Sequence, residues 1–390
     1  MATNKLIPRL TSAEYQRRYE LTREWMTGAD IEALVIYANS YGGDHIRWLS
    51  AFAPRHDTYL IFPRVGAPTL LTQLFNHVPN AKHISVVADT RWGGADSAST
   101  VADELSKRSI ARGKVGLVGR VPYKDYQTLA AKSTRVEWVD AASGFQSLRL
   151  VKSQAELEWL RKGAAHTDAA IAALIDAAAP GVSEHELAAA IESAYVRAGA
   201  EHALHFLSST PMDAPQAYVP AQTQTARRLQ VGDVVISEIS AGIGGYAGQI
   251  QRPFTVGCRT TPLYKRIYDV AFETYERIMA VLRPGATVGQ VLDAADYIQA
   301  QGLTVCDDLL HGYGMGYLPP ILRTRATAHK NPPDDFVFKE NMAVVVQPNV
   351  YDPASGAGLQ VGNLVVITAN GAVSLQKYPM GFHVSGGKSS

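Results

Sequence analysis

Cysteine is nearly absent from this chain. Only Cys258 and Cys306 occur among 390 residues, far apart and outside any CxxC or Cys/His cluster. That excludes a disulfide framework and offers no zinc or redox motif, so the sequence predicts two free thiols in a reducing compartment, neither with a catalytic role. An excess of charge of one sign is also missing: 37 Lys and Arg stand against 36 Asp and Glu, a formal net charge of +1. Such a chain has no electrostatic reason to bind nucleic acid or an anionic membrane. No segment is apolar for long enough to cross a bilayer, and the start, MATNKLIPRL, lacks the apolar run of a signal peptide. The expectation is a cytoplasmic protein. There is no charged tail or insertion, and the closing SGGKSS reads as a short disordered end.

What is present is a globular composition, 46% hydrophobic and 19% charged. The length exceeds one ordinary core, so two domains are expected. In the first part, branched apolar runs at 33–37, 59–62, 84–87, 115–118 and 136–139 read as strands, with helical stretches at 99–112 and 123–132 between the last three. That alternation predicts an α/β layer. At Ser153 the character changes: Glu156 follows three residues later, a capping box, and an amphipathic helix runs on towards Ala179. The domains are therefore expected at 1–150 and 151–390.

The second part carries a weak internal repeat. A long helix ends at Ala179 and Pro180-Gly181-Val182-Ser183 opens another; a second long helix ends near Arg283 and Pro284-Gly285-Ala286-Thr287 opens its partner. Extended segments follow each pair, at 234–239 and 254–256, then at 343–347 and 364–368. A duplicated helix–helix–hairpin unit with one curved antiparallel sheet accounts for the pattern, and its cleft is expected in the sheet between the halves.

These segments resemble the creatinase, prolidase and aminopeptidase P group. The likeness runs from HIRWLSAF at 45–52, through LRLVKSQAELEWLRKGA, to GDVV, LHGYGMG, KENMAVVVQP and GLQVGNLVVIT, in that group's order and spacing. The resemblance implies an α+β chain, a pita-bread C-terminal domain preceded by a smaller α/β creatinase-like N-terminal domain. It also implies a homodimer in which the neighbour's N-terminal domain completes the cleft.

Metal-dependent members of the group hold two divalent ions between two aspartates, a histidine and two glutamates, which activate a bridging water. The matching positions here are Glu238, Gln249, Met315, Gln347 and Gly362, while Gly232, Asp233, Gly245, Tyr246, Arg252, His311, Gly312 and Pro348 fall in place around them. Four of the five offer no hard anionic or imidazole ligand, so the expectation is no catalytic metal and no other cofactor. Creatinase cleaves a C–N bond without metal, using a histidine that falls near Ala221 here and two guanidinium-binding glutamates that fall on Gln251 and Gln347. Creatine would lose both charged partners and is not the expected substrate.

On the expected cleft floor remain Glu238, Gln249, Gln251 and Gln347. Neutral carboxamides donate and accept at every pH, which suits a neutral or zwitterionic ligand. Glu238 and His311 are the expected acid–base pair, although His311 reads equally as a satisfied core histidine. Tyr313 is expected to donate a proton or merely to pack, and Arg252 to be structural. Arg323 and Arg325, with Arg55 and His56, are candidates to grip a substrate carboxylate, against the alternative of solvated loop charges. The function expected is a metal-independent enzyme acting on a small amino-acid-like or amide-containing metabolite by hydrolysis, elimination or isomerisation. The alternative is an inactive relative that binds a ligand or peptide; an ordinary proline-specific peptidase is disfavoured by the ligand losses.

Overall fold

The computed structural model describes residues 7–385 except 41 and 111. By internal contacts the chain divides into two units, Met1–Arg149 and Leu150–Ser390.

The first unit is built on a six-stranded mixed sheet. Its order is Asp89–Trp92, Thr69–Thr72, Thr58–Pro63, Ile31–Ala38, Gly113–Val118 and Val136–Asp140. The central strand, Ile31–Ala38, is buried along nearly all its length, which its unbroken apolar run requires. Helix Ser97–Lys107 buries Ala98, Val101, Ala102 and Leu105 at helical spacing into the core that Val35, Ile61 and Val115 line. One expected strand is corrected. Residues 78–84 form the helix Val78–Ile84, and Ser85 then turns the chain: its hydroxyl accepts from Val87 N at 3.0 Å while Val86 N donates to Ser50 O. The strand begins only at Asp89.

The second unit carries the duplicated motif. Helix Gln154–Ala177 starts from the Ser153–Glu156 capping box, and Glu184–Val196 starts from a second box, Ser183–Glu186. These two pack over a core of Val235, Ile239, Ala241 and Phe254. Helices Pro262–Val281 and Val288–Ala295 repeat the arrangement over Val344, Val346, Val365 and Ile367, the latter opening on a Thr287–Gln290 box. Between the pairs, Asp233–Ile243, Ile250–Gln251, Gly362–Thr368 and Ala343–Val346 lie side by side in one eleven-stranded sheet. The long helix approaches this sheet backbone to backbone: a Cβ at Gly248 would stand 2.6 Å from Ala164 Cα. Ser385 pairs with Val256, and the residues after it, with the expected disordered end, lie outside the described ones. No described helix is long and apolar enough to cross a membrane.

One arginine ties the middle of the sheet together. Arg252 is fully buried, and its guanidinium donates to the carbonyls of Gln251, Gly362, Tyr378 and Pro379 and to Asn363 Oδ1, at 2.8–2.9 Å. Burial draws its pKa down to about 10. Arg252→Met keeps much of the volume but removes the donor from four carbonyls, those of Gln251 and Gly362 buried. We expect a loss of at least about 3 kcal/mol of unfolding free energy, read by chemical denaturation; a loss below about 1 kcal/mol would show that the carbonyls find other donors.

Candidate active site

Side chains alternate across a strand, and on Asp233–Ile243 the residues Val235, Ile239 and Ala241 face the helices. Glu238 therefore projects from the other face, beside Phe206 of the paired strand. It is 6% exposed. Gln249 Nε2 donates to its Oε1, and Gln360 Nε2 lies 3.4 Å from its Oε2. Gln347 Oε1 in turn accepts from Gln251 Nε2 at 2.8 Å and from Gln249 Nε2 at 3.3 Å. Glu238, Gln249, Gln251 and Gln347 thus form one buried network of an acid and three carboxamides.

His311, on the strand Leu310–Gly314, reaches the same network. Its Nδ1 lies 3.1 Å from the carbonyl of Gly312, which can only accept, so the ring proton sits there. Nε2 is then a buried lone pair with no hydrogen-bond partner of its own, and the Gln347 side chain lies beside the ring. Tyr317 packs against the ring at 4.0 Å and Tyr313 meets it edge-on at 5.5 Å. Tyr317 donates its hydroxyl proton to Asp308, whose other oxygen accepts from Arg323 Nε at 3.0 Å. Asp307, the residue before Asp308, is half-buried, and that burial raises its pKa.

This surrounding displaces the two titrations in opposite directions. Burial, then the Asp307 charge, pushes the Glu238 carboxyl up to about 8, against the opposing pull of the Gln360 amide. Burial pulls His311 down to about 4. Burial thus favours the protonated carboxyl at Glu238 and the neutral imidazole at His311.

The structure brings Glu238, Gln249, Gln251, Gln347, His311, Tyr313 and Arg323 together. Arg325 is not brought there: its guanidinium is committed to Asp293 at 2.7 Å and Asp334 at 3.3 Å, with Asp296 at 3.8 Å, which corrects its expected place beside the ligand. Arg55 and His56 belong to the first unit, where with Arg47 and His77 they line a cavity of about 280 Å³. Asp307, Asp308, Tyr317 and Gln360 were not foreseen. Gln360 lies two residues from Gly362, and the acidic pair stands just before His311, spacings that could have drawn attention.

The five positions that hold metal in metal-dependent relatives do not fit a pair of hard cations. Three are carboxamide or thioether side chains, weak or soft donors. At Gly362 a Cβ would stand 2.4 Å from Gln251 Oε1 and 2.4 Å from Val346 O. The Gln251 amide occupies the space where a side chain from 362 would run.

A carboxyl with a raised pKa gives a pH signature. The unfolded chain releases the Glu238 proton near 4.5, whereas the folded protein keeps it to about 8. Stability is therefore fully present below 4.5 and falls as pH rises towards 8, by up to about 1.4 kcal/mol per pH unit. Glu238→Gln abolishes that loss, so its thermal midpoint should gain on the parent's between pH 5 and pH 8.5. An unchanged difference at the two pH values would show that Glu238 titrates normally.

Comparison with known proteins supplies the family. The description "Metallopeptidase family M24" matches residues 158–369 and "Creatinase/Prolidase N-terminal domain" matches residues 18–151. The chain is 25% identical to the Xaa-Pro dipeptidase of Pyrococcus horikoshii, covering 91% of this chain and 95% of that one. It is 29% identical to a probable dipeptidase, PepE, of Mycobacterium tuberculosis, covering 95% and 96%. The solved dipeptidase PepE of Mycobacterium ulcerans superposes with a TM-score of 0.80 at 26% identity, covering 97% of this chain and all of that one (100%). These findings overturn the expected function, a metal-independent enzyme outside the metallopeptidases with an inactive binding relative as the alternative: the matching family is one of metallopeptidases, and the relatives include the Xaa-Pro dipeptidase type that the ligand losses had disfavoured. The chain belongs to the M24 metallopeptidase family, with a creatinase/prolidase-type N-terminal domain.

Proposed function

We propose that this protein is a hydrolase that cleaves an amide bond in a small, dipeptide-like molecule. The observation that carries the reading is the buried Glu238, on the sheet face away from the helices and hydrogen-bonded by Gln249, with burial raising its pKa to about 8. The dipeptidase names of the relatives supply the substrate class.

In this reading Glu238 donates a proton to the departing amine, and His311 Nε2 accepts one from the attacking water. Gln249, Gln251 and Gln347 orient the amide, since a carboxamide can donate to a carbonyl and accept from an amine at once. Tyr313 closes the histidine side of the pocket. Arg323 is 42% exposed and engages Asp308 only through Nε among the described residues, which leaves its terminal nitrogens for a substrate carboxylate. Family resemblance adds a homodimer to which Arg55 and His56 contribute, and the two free thiols suit a cytoplasmic setting.

The test is turnover of a dipeptide panel, Xaa-Pro members included, followed by release of free amino acids. The wild-type protein should turn over at least one member. Glu238→Gln should lower kcat by about 10²–10⁴-fold without loss of folded protein. No turnover across the panel, or an undiminished rate in the variant, would overturn the assignment.

A further inference from the structure

On the opposite face of the sheet from Glu238 two histidines converge where regular strand geometry would separate them. His202 and His205 lie on the strand Glu201–Pro211, three residues apart, a spacing that places side chains on opposite faces. The pairing to Asp233–Ile243 slips between them: His202 faces Ala241 and Leu204 faces Ser240, so Ala203 is an extra residue. Such a bulge re-aims the side chains around it. As a result His205 sits opposite Ile239 and His202 opposite Ala241, both on the side covered by the helix Glu184–Val196. That helix presents Glu192 and Tyr195, one turn apart, to the same spot.

The donor atoms are already close. His202 Nδ1 and His205 Nε2 are 3.3 Å apart, and Glu192 Oε1 lies 3.8 Å from His202 Nδ1. All three ligand atoms fall within 4.8 Å of one another. Two nitrogens bound to one tetrahedral zinc ion at about 2.0–2.1 Å stand about 3.3 Å apart, the separation seen here. The Tyr195 hydroxyl completes a triangle, 2.7 Å from His205 Nε2 and 3.2 Å from His202 Nδ1. An imidazole nitrogen carries either a proton or a lone pair, never both, so one proton or lone pair in this triangle must serve two partners. A cation on the two nitrogen lone pairs removes that conflict.

We propose that Glu192, His202 and His205 form a binding site for one late first-row divalent cation of the zinc type, separate from the cleft. Each part has the chemistry this requires. His205 is 7% exposed and holds its Nε2 within reach of the other two donor atoms. His202 and Glu192 are about half exposed, at 54% and 53%, and give the ion a path from solvent and a place for a water as the remaining ligand. Glu192 supplies the negative charge. Bound there, the ion joins the helix to the edge of the strand that carries the bulge, so it should stiffen this side of the unit without touching the network of Glu238.

Calorimetric titration of the chelator-treated full chain with zinc chloride tests this, with cobalt absorption as a second reading. The expected result is one equivalent of zinc bound, a raised thermal midpoint, and an intense visible band from tetrahedral cobalt. His202→Ala and Glu192→Gln alter exposed side chains and leave the core intact. Each should weaken zinc binding by at least about tenfold, since even residues that only support metal ligands are worth that much. Glu238→Gln should bind zinc as the parent does. Absence of zinc binding, binding that survives His202→Ala and Glu192→Gln unchanged, or binding lost in Glu238→Gln would each overturn the proposal.

Discussion

Taking one carboxyl out of water on a sheet strand is the constraint around which the second unit is arranged. A buried carboxylate is costly unless it is paired with a cation or satisfied by donors, and no cation lies against Glu238 among the described residues. Its neighbours are amides, Gln249 and Gln360, and the nearby charges are the acids Asp307 and Asp308. Amide donors alone do not offset burial beside like charge, and the group responds by keeping its proton. The consequence is a cleft floor made of neutral groups in which the mobile charge is a single proton.

The remaining polar groups follow from that. Gln347 bridges Gln249 and Gln251, so the three carboxamides are linked to one another and to Glu238, while the buried Gln251 Oε1 has no hydrogen-bond partner among the described residues. Gln251 fits only because 362 is glycine, since a Cβ there would collide with its amide oxygen. The same peptide, Gly362, gives its carbonyl to Arg252, whose guanidinium holds both neighbouring strands and the segment at 378–379. The amide at 251 and the glycine at 362 therefore fit one another in volume.

The sequence showed much of the fold because the signals are local. The Ser153–Glu156 box, the two Pro-Gly turns and the segments at 254–256 and 343–347 each act within a few residues, and all appear where periodicity and capping place them. It failed at 84–87, where a serine side chain diverts an apolar run that otherwise reads as a strand. It also failed at Arg325, whose partners Asp293 and Asp334 come from a helix 32 residues before it and a loop nine residues after it. Asp308 and Tyr317 join the site only through the pairing of two strands, a contact that no spacing rule announces. The bulge at Ala203 is of the same kind: two histidines at odd separation look unrelated until the register slips.

Within the site, burial acts on an acid and on a base in opposite directions. In water a glutamate is the base and a histidinium the acid. Here, burial raises the carboxyl to about 8 and lowers the imidazole to about 4, so the order is inverted and at neutral pH both groups are uncharged. The inversion comes from one physical cause acting on an acid and on a base: loss of water penalises the ion in each case. Neither group carries a charge for a substrate to neutralise, and the developing charges of a reaction must be met by the pair itself, the oxygen giving up its proton as the nitrogen gains one. A pair poised in this way favours attack and departure that are coupled through proton transfer. In the proposed function the half-exposed Arg323, partnered by Asp308, is the group that meets a permanent substrate charge.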